Sequence, residues 1–144
     1  MVSWEVKTVL EGYKSEKVEK VIELQRIRGG VFECLTVCRF PWVELGFELE
    51  WYPKLLQTAT GVEMSLQTLN TISDRVFNLT RAFWVREYGK KWGPEMDTPP
   101  PRWFEEPLTK GSLKGTKLNK AEYQRMLQLY YEKRGWDDRG IPRE

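Results

Sequence analysis

The sequence predicts an all-α fold, an irregular helical domain with a Pro-rich surface segment. Over long stretches apolar residues recur at steps of three and four, which is the spacing of one face of a helix. No stretch shows the sustained period-two alternation, bounded by hairpin turns, that predicts a half-buried strand. A length of 144 residues suits one domain, so we expect residues 1–144 to fold as a single unit.

The first predicted helix runs over residues 17–35. Its apolar residues approximate one helical face: Val18, Val21, Ile22, Ile27, Val31 and Leu35. Gly29-Gly30 either interrupts this helix or lets another element pack closely against it, because glycine has no side chain. We expect Pro41 to end the helical stretch, since proline breaks a helix interior.

A short helix and a long helix follow. Pro53 stands where the short helix can begin, and Gly61 stops it. Ser65 is the predicted N-cap of the long helix, which covers roughly residues 66–86. The apolar positions of the long helix form one periodic set: Leu66, Leu69, Ile72, Val76, Leu79 and Phe83.

Arginines also fall on the long helix, among its apolar positions: Arg75, Arg81 and Arg86. A buried or half-buried arginine needs a carboxylate partner. We therefore interpret these side chains as members of structural salt bridges rather than as an anion-binding site.

A Pro- and Gly-rich stretch separates the long helix from the last one. Its prolines and glycines cannot sustain a helix or a central strand, so we expect an irregular surface segment over 93–118. Asn119 and Glu122 then form a capping-box-like start, and Gly135 is the stop signal. The last helix is predicted over residues 120–134.

Histidine is absent from the chain, and this narrows the available chemistry. Without it there is no Ser-His or Cys-His pair and no histidine metal site. Hydrolase triads, His-rich zinc enzymes and histidine acid–base catalysis are therefore excluded. The remaining chemistry has to use carboxylates, thiols, lysine, tyrosine or a cofactor.

Charge and hydropathy favour a cytoplasmic chain without nucleic acid or membrane as partner. The net charge of +2 is too small for a dedicated nucleic-acid binder, and we interpret the lysines near 90–91 and 110–120 as solvated loops. No apolar run approaches the roughly 20 residues of a membrane helix, and the N-terminus lacks the apolar core of a signal peptide. The aromatic and charged content also fits a thermophile.

Cys34 and Cys38 are the two cysteines, four positions apart. On a continuous helix they would share a face, where thiolates could hold a metal or part of an iron–sulfur cluster. A cluster or a structural zinc takes about four ligands, so the site would have to be shared with another domain or subunit. The alternative is that both are small buried apolar residues, and spacing does not decide between the two.

Several motifs follow one another along the chain, at residues 33–40, 59–61, 75–83, 86–87, 97–107, 130–137 and 140–142. In their order and spacing these motifs resemble the C-terminal domain of the tungsten-dependent aldehyde:ferredoxin oxidoreductases. The resemblance spans about residues 18–142, nearly the whole chain. Several motifs in order are far more specific than a lone pair of cysteines.

The resemblance implies one part of a larger enzyme. In that family a tungsten held by two pterin dithiolenes lies beside a four-iron four-sulfur cluster, enclosed by a β-rich domain and two helical domains. The C-terminal domain supplies an Asp-x-x-Gly-Leu-Cys segment whose acid contacts a pterin and whose cysteine is the last cluster ligand. By position, Cys38 is the candidate metal ligand, Glu33 the candidate pterin contact, and Val37 the residue whose backbone approaches the pterin.

The segment departs from the family pattern at three positions. Glu33 replaces the aspartate and keeps a carboxylate acceptor on a longer arm. Thr36 replaces the glycine and Val37 replaces the leucine. A β-branched threonine restricts the backbone where glycine allows close approach.

Two functional hypotheses follow, and neither makes this chain a complete enzyme. In the first, the chain is a fragment or separately encoded piece of the oxidoreductase and passes electrons through the cluster to ferredoxin. Its partners are the remaining domains, and the isolated chain binds no cofactor. In the second, favoured by the altered 33–37 segment and the start at Met1, it is a structural or interaction module that has lost the cofactor.

A domain that covers a cofactor leaves apolar surface bare when the rest of the enzyme is absent. We therefore expect a solvent-exposed apolar face near the second cysteine. The residues expected on this face are Phe32, Val37, Phe40 and Trp42.

Overall fold

A computed structural model describes residues 12–143 of the protein. The α-helices are α1 (Ser15–Arg26), α2 (Phe32–Leu35), α3 (Phe40–Leu45), α4 (Trp51–Thr60), α5 (Leu66–Tyr88), α6 (Arg102–Glu105) and α7 (Lys120–Arg134). A π-helical turn, Ile27–Val31, joins α1 to α2, and 3₁₀ turns cover Gly89–Lys91 and Pro94–Asp97. Residues 12–143 contain no strand, only an isolated bridge between Trp136 and Pro142, so the all-α prediction is confirmed.

The π-helical turn is where the two consecutive glycines meet α5. A Cβ atom on Gly30 would lie 3.1 Å from the Cα of Ser73 and collide with its hydroxyl group, and one on Gly29 would lie 3.0 Å from the Phe77 ring. Both glycines thus allow the backbone to approach α5 closely, as one of the two sequence alternatives proposed. The chain stays helical through them instead of breaking.

The first helical stretch ends at Leu35, and the prediction that Pro41 ends it is wrong. Thr36 follows Leu35 with a φ of 54°, in the left-handed conformation that closes a helix. Pro41 instead lies in the first turn of α3. Proline is tolerated there because the first backbone N–H groups of a helix have no intrahelical partner.

The predicted helix caps are confirmed. The Ser65 hydroxyl accepts a hydrogen bond from the Thr68 N–H at 3.0 Å at the start of α5. The Asn119 side-chain oxygen accepts one from the Glu122 N–H at 3.1 Å at the start of α7. Gly135 ends α7 with a φ of 71°.

The Pro-rich stretch is less irregular than predicted. It contains the 3₁₀ turn Pro94–Asp97 and the single-turn helix α6. Pro94 occupies the first turn of its segment, and Pro101 directly precedes α6. Both are positions where the missing N–H of proline costs no helical hydrogen bond, so helical turns are compatible with these prolines.

The periodic apolar set of α5 does not form one buried face. Leu69 is buried at the start of the helix, with 3% of its surface exposed, whereas Leu79 is 74% exposed. The side of α5 that packs against α1 and the π-helical turn is formed by Leu69, Ser73 and Phe77. Ile72, Val76, Leu79 and Phe83 lie on a separate stripe.

Two packing centres hold the described residues together. In the first, an apolar core, Phe32 and Tyr52 pack edge to face with ring centroids 5.2 Å apart, beside Ile27. In the second, the guanidinium group of Arg81 lies 4.4 Å from the ring centre of Trp92 and 4.5 Å from that of Trp136. This second centre attaches the segment around 92–97 and the C-terminal segment to α5.

Arg81 is also a hydrogen-bonding centre, and its predicted role in a structural salt bridge is confirmed. It donates to the Asp97 carboxylate, with one bond of 2.8 Å, and to the Gly140 carbonyl at 2.8 Å. Tyr131 donates its hydroxyl to the same carboxylate. Burial raises the pKa of Asp97, but the bonds from Arg81 and Tyr131 outweigh burial and lower it overall.

Candidate cofactor segment

The residues singled out from the sequence lie on one short segment at the end of α2. Glu33 and Cys34 belong to α2, and Cys38 lies in the turn between α2 and α3. Glu33, Val37 and both cysteines are exposed. Both cysteines are free thiols and both are exposed, and their exposure makes the alternative that they are small buried residues wrong. They do not share a helical face, because α2 ends between them.

A Schellman-type turn fixes the path of the segment. The Thr36 N–H donates to the Glu33 carbonyl at 3.2 Å, and the Val37 N–H donates to the Phe32 carbonyl at 3.0 Å. Phe32 is buried in the apolar core, so this second bond ties the turn to the rigid part of the molecule. The backbone that leads into Cys38 is therefore held in place.

Thr36 occupies the position where this turn favours glycine. Among residues 12–143 it is the sole non-glycine residue with a positive φ. A β-branched side chain is strained in this conformation. Its hydroxyl group donates to the Leu35 carbonyl at 2.7 Å, which ties the side chain to the helix end.

The Cys38 sulfur has one donor already aimed at it. The backbone N–H of Phe40 donates to Sγ with a separation of 3.4 Å. Hydrogen bonds from backbone N–H groups to ligand sulfurs are a usual feature of iron–sulfur sites, where they adjust the potential of the cluster. The geometry therefore suits a sulfur that carries negative charge.

The apolar surroundings of Cys38 are divided between core and surface. Val37 and Phe40 are exposed, as expected. Phe32 is buried against Tyr52, and Trp42 is half-buried beside it, so the expectation of exposure is wrong for these two rings. The reason is that Phe32 belongs to the apolar core with Ile27 and Tyr52, and Trp42 packs against the Phe32 ring.

Tyr52 is a residue near the segment that the sequence did not single out. Its hydroxyl group is buried and has no hydrogen-bond partner within the described chain. Burial raises the pKa of this phenol, and the nearby charge of Cys38 raises it further. Tyr52 comes from α4, 14 positions beyond Cys38, and no local pattern in the sequence links the two.

The Cys38 thiol and the N–H group bonded to it fit the role of a single ligand of a metal cluster. Within residues 12–143 no three His, Cys, Asp or Glu side chains lie close enough together to hold a metal ion. An exposed thiol with an N–H donor can supply one ligand, while the remaining ligands have to come from another part of the protein. That the site is shared with another domain or subunit, as the count of two cysteines predicts, stays a prediction.

Two open clefts lie elsewhere on the described surface. One, of about 440 Å³, lies along α7 and the C-terminal segment, and the other, of about 380 Å³, lies between α1, α5 and α7. Neither is lined by Glu33, Val37 or Cys38. The charged residues in the wall of the second cleft, Arg81 and Asp97, are paired with each other.

No described helix is long and apolar enough to cross a membrane.

Comparison with known proteins relates this chain to one family of larger oxidoreductases. A family model described as aldehyde ferredoxin oxidoreductase, domains 2 and 3, matches residues 1–144. Tungsten-containing aldehyde ferredoxin oxidoreductases from Thermococcus kodakarensis and Pyrococcus horikoshii are 33% and 35% identical, over 90% of this chain and 20% of their own lengths. An aliphatic sulfonate oxidoreductase, WOR-like subunit, from Pyrococcus furiosus is 31% identical over 60% of this chain and 16% of its own length.

This chain thus spans about a fifth of the length of the curated tungsten-containing relatives that it matches. The match covers the helical part of the family and agrees with the all-α fold of the described residues. The chain belongs to the aldehyde ferredoxin oxidoreductase family and corresponds to its C-terminal part.

Proposed function

We propose that this chain is the C-terminal part of an aldehyde:ferredoxin oxidoreductase-like enzyme and supplies Cys38 as one ligand of a four-iron four-sulfur cluster. The observation that carries the proposal is the state of the Cys38 thiol, which is free, exposed and already accepts the Phe40 N–H. The anchored turn before it would hold the sulfur at a fixed position when the other ligands approach. The other ligands would come from the part of the enzyme outside this chain.

Glu33 and Val37 are the proposed contacts to the pterin. Glu33 is an exposed carboxylate that can accept hydrogen bonds, and it lies in α2, one helical turn before Val37. Val37 offers its carbonyl group, since its N–H is already bonded to Phe32. With Phe40, its exposed side chain would exclude water from the cofactor side of the domain.

In the assembled enzyme the tungsten-bispterin centre would supply the oxidation of an aldehyde to a carboxylic acid, with the added oxygen taken from water and two electrons and two protons released. The role of this chain would be to enclose that centre and to ligate the cluster through which electrons leave for ferredoxin. Free thiols persist in a reducing environment, so the cytoplasm is the proposed location of this protein. Proton transfer would belong to other parts of the enzyme, which is consistent with the absence of histidine from this chain.

The matched pair of cysteines provides the test. The chain is co-expressed anaerobically with the polypeptide that precedes it in its relatives, and iron and tungsten are measured in the purified complex. Cys38→Ala is expected to lower the iron content and abolish the cluster spectrum, whereas Cys34→Ala leaves both unchanged. Unchanged iron in the Cys38→Ala complex would refute the ligand assignment.

The second candidate function is a structural or interaction module that no longer binds the cofactor. Thr36 favours it, because a strained threonine stands where close approach to a heterocycle suits glycine. The module hypothesis expects the complex to form without iron or tungsten, and the metal content to be the same in the wild-type and Cys38→Ala complexes. Metal that depends on Cys38 would eliminate this candidate.

A further inference from the structure

The apolar surface of helix α5 extends beyond the part that packs inside the described domain. One side packs inward through Leu69, Ser73 and Phe77. Beside it lies what we name the outer stripe, which consists of Ile72, Val76, Leu79 and Phe83. In the outer stripe Val76, Leu79 and Phe83 are 36%, 74% and 46% exposed. The outer stripe lies beside the packed side, so the apolar surface of α5 is wider than the described domain covers.

The spacing of the outer stripe indicates the kind of surface that it fits. Its members follow one another at steps of four, three and four residues, which is the alternation of a helix–helix seam. Side chains with this spacing form a narrow ridge along one line of the helix. A second helix can bury such a ridge along its whole length.

The outer stripe is too small to hold two copies of this chain together on its own. A stable interface buries about 800 Å² on each partner and involves roughly 20 residues a side. The outer stripe has four residues, so it fits one part of a more extended contact. The stretch that this chain matches is 20% of the length of the curated relatives, and the additional polypeptide can provide that contact.

We propose that the outer stripe of α5 packs against an apolar face of a helix in the part of the oxidoreductase that lies outside this chain. This proposal rests on the membership of the chain in a larger enzyme, and it does not depend on Cys38 being a cluster ligand. It assigns two adjacent parts of the α5 surface different tasks: the inner part organises this domain, and the outer stripe joins it to the rest of the enzyme.

The test uses the oxidoreductase from Thermococcus kodakarensis, without the stretch that this chain matches, as the immobilised binding partner. Binding is measured without iron or tungsten for the wild-type chain, Leu79→Glu and Leu108→Glu. Leu108 is the matched control because it is an exposed leucine, 52% exposed, outside the outer stripe. Circular dichroism establishes that each variant is folded.

We expect Leu79→Glu to weaken binding by about tenfold or more, because a buried carboxylate without a partner is costly. Leu108→Glu should bind like the wild type. Because the assay contains no iron or tungsten, its outcome does not depend on Cys38 being a ligand, so failure of the ligand assignment and failure of this proposal are distinguishable. Leu79→Glu binding within about twofold of the wild type would overturn the proposal. A wild-type chain that does not bind would also overturn the proposal. Light scattering that shows a dimer of this chain, abolished by Leu79→Glu, would overturn it as well, because the outer stripe would then contact a second copy.

Discussion

Replacing Arg81 with methionine removes the centre that attaches two distant segments to α5. The variant loses both hydrogen bonds to Asp97 and the bond to Gly140, while the methionine chain keeps part of the packing against Trp92 and Trp136. The side chain of Arg81 is 12% exposed and that of Asp97 is 24% exposed, so water replaces little of what is lost. Removing one partner of such a buried pair costs about 3–5 kcal/mol.

This loss is a large part of the roughly 5–15 kcal/mol by which a domain is typically stable. Urea unfolding followed by tryptophan fluorescence measures it, and Trp92 and Trp136 report directly because both touch the guanidinium group. Arg86→Met is the control on the same helix. Its pair with Glu87 is 72% and 49% exposed, and we expect a change of no more than about 0.5 kcal/mol.

A second substitution distinguishes the pair from general packing damage. Adding Asp97→Asn to Arg81→Met neutralises the stranded carboxylate, so the double variant should lose less stability than the sum of the two single losses. Equal losses in Arg81→Met and Arg86→Met, or strictly additive losses in the double variant, would refute the reasoning.

Two further predictions concern the pH dependence of this pair and the turn before Cys38. The pKa of Asp97 in the folded protein is below its ordinary value of 3.8. The contribution of Asp97 to stability is therefore present above pH 3.8 and is lost as pH falls through the lower, folded value. Acid unfolding monitored by fluorescence should show this loss of stability, and Asp97→Asn should remove the pH dependence. Thr36→Gly should raise the free energy of unfolding by about 0.5–1 kcal/mol, because relief of left-handed strain exceeds the added freedom of the unfolded chain. Thr71→Gly, within regular helix, should lower it by a similar amount, and urea midpoints that move in the same direction for both would contradict this explanation.

Local capping rules explain why much of the fold could be predicted. Helices α5 and α7 begin where the side-chain oxygen of Ser65 or Asn119 accepts a hydrogen bond from the N–H group three residues later. Helix α7 ends where Gly135 adopts a positive φ. Such features lie within one helical turn of sequence. They are therefore readable without knowledge of the tertiary structure.

The errors have a different origin. Pro41 is compatible with both the end and the start of a helix, and only the left-handed Thr36 five residues earlier decides between them. The periodic set of α5 was expected to form one face, but it is divided between the inner side and the outer stripe. The sequence pattern shows that these residues are apolar, and it does not show which neighbour covers each of them.

The candidate segment was located from the sequence, and its local environment was not. Both cysteines are exposed, which spacing alone could not establish. The buried hydroxyl of Tyr52 comes near Cys38 only because Phe32, Phe47 and Tyr52 pack ring against ring. Such proximity depends on tertiary packing between α2 and α4.

The π-helical turn between α1 and α2 sets the direction in which the candidate segment faces. A wider helical turn accommodates one more residue than an α-helical turn, and each residue of an α-helix corresponds to about 100° of rotation around the axis. Removing one residue from Ile27–Val31 would therefore turn α2, with Glu33 and Cys34, to another side of the domain. The orientation of the candidate segment thus depends on the helical turn before it, where the two glycines fit against α5.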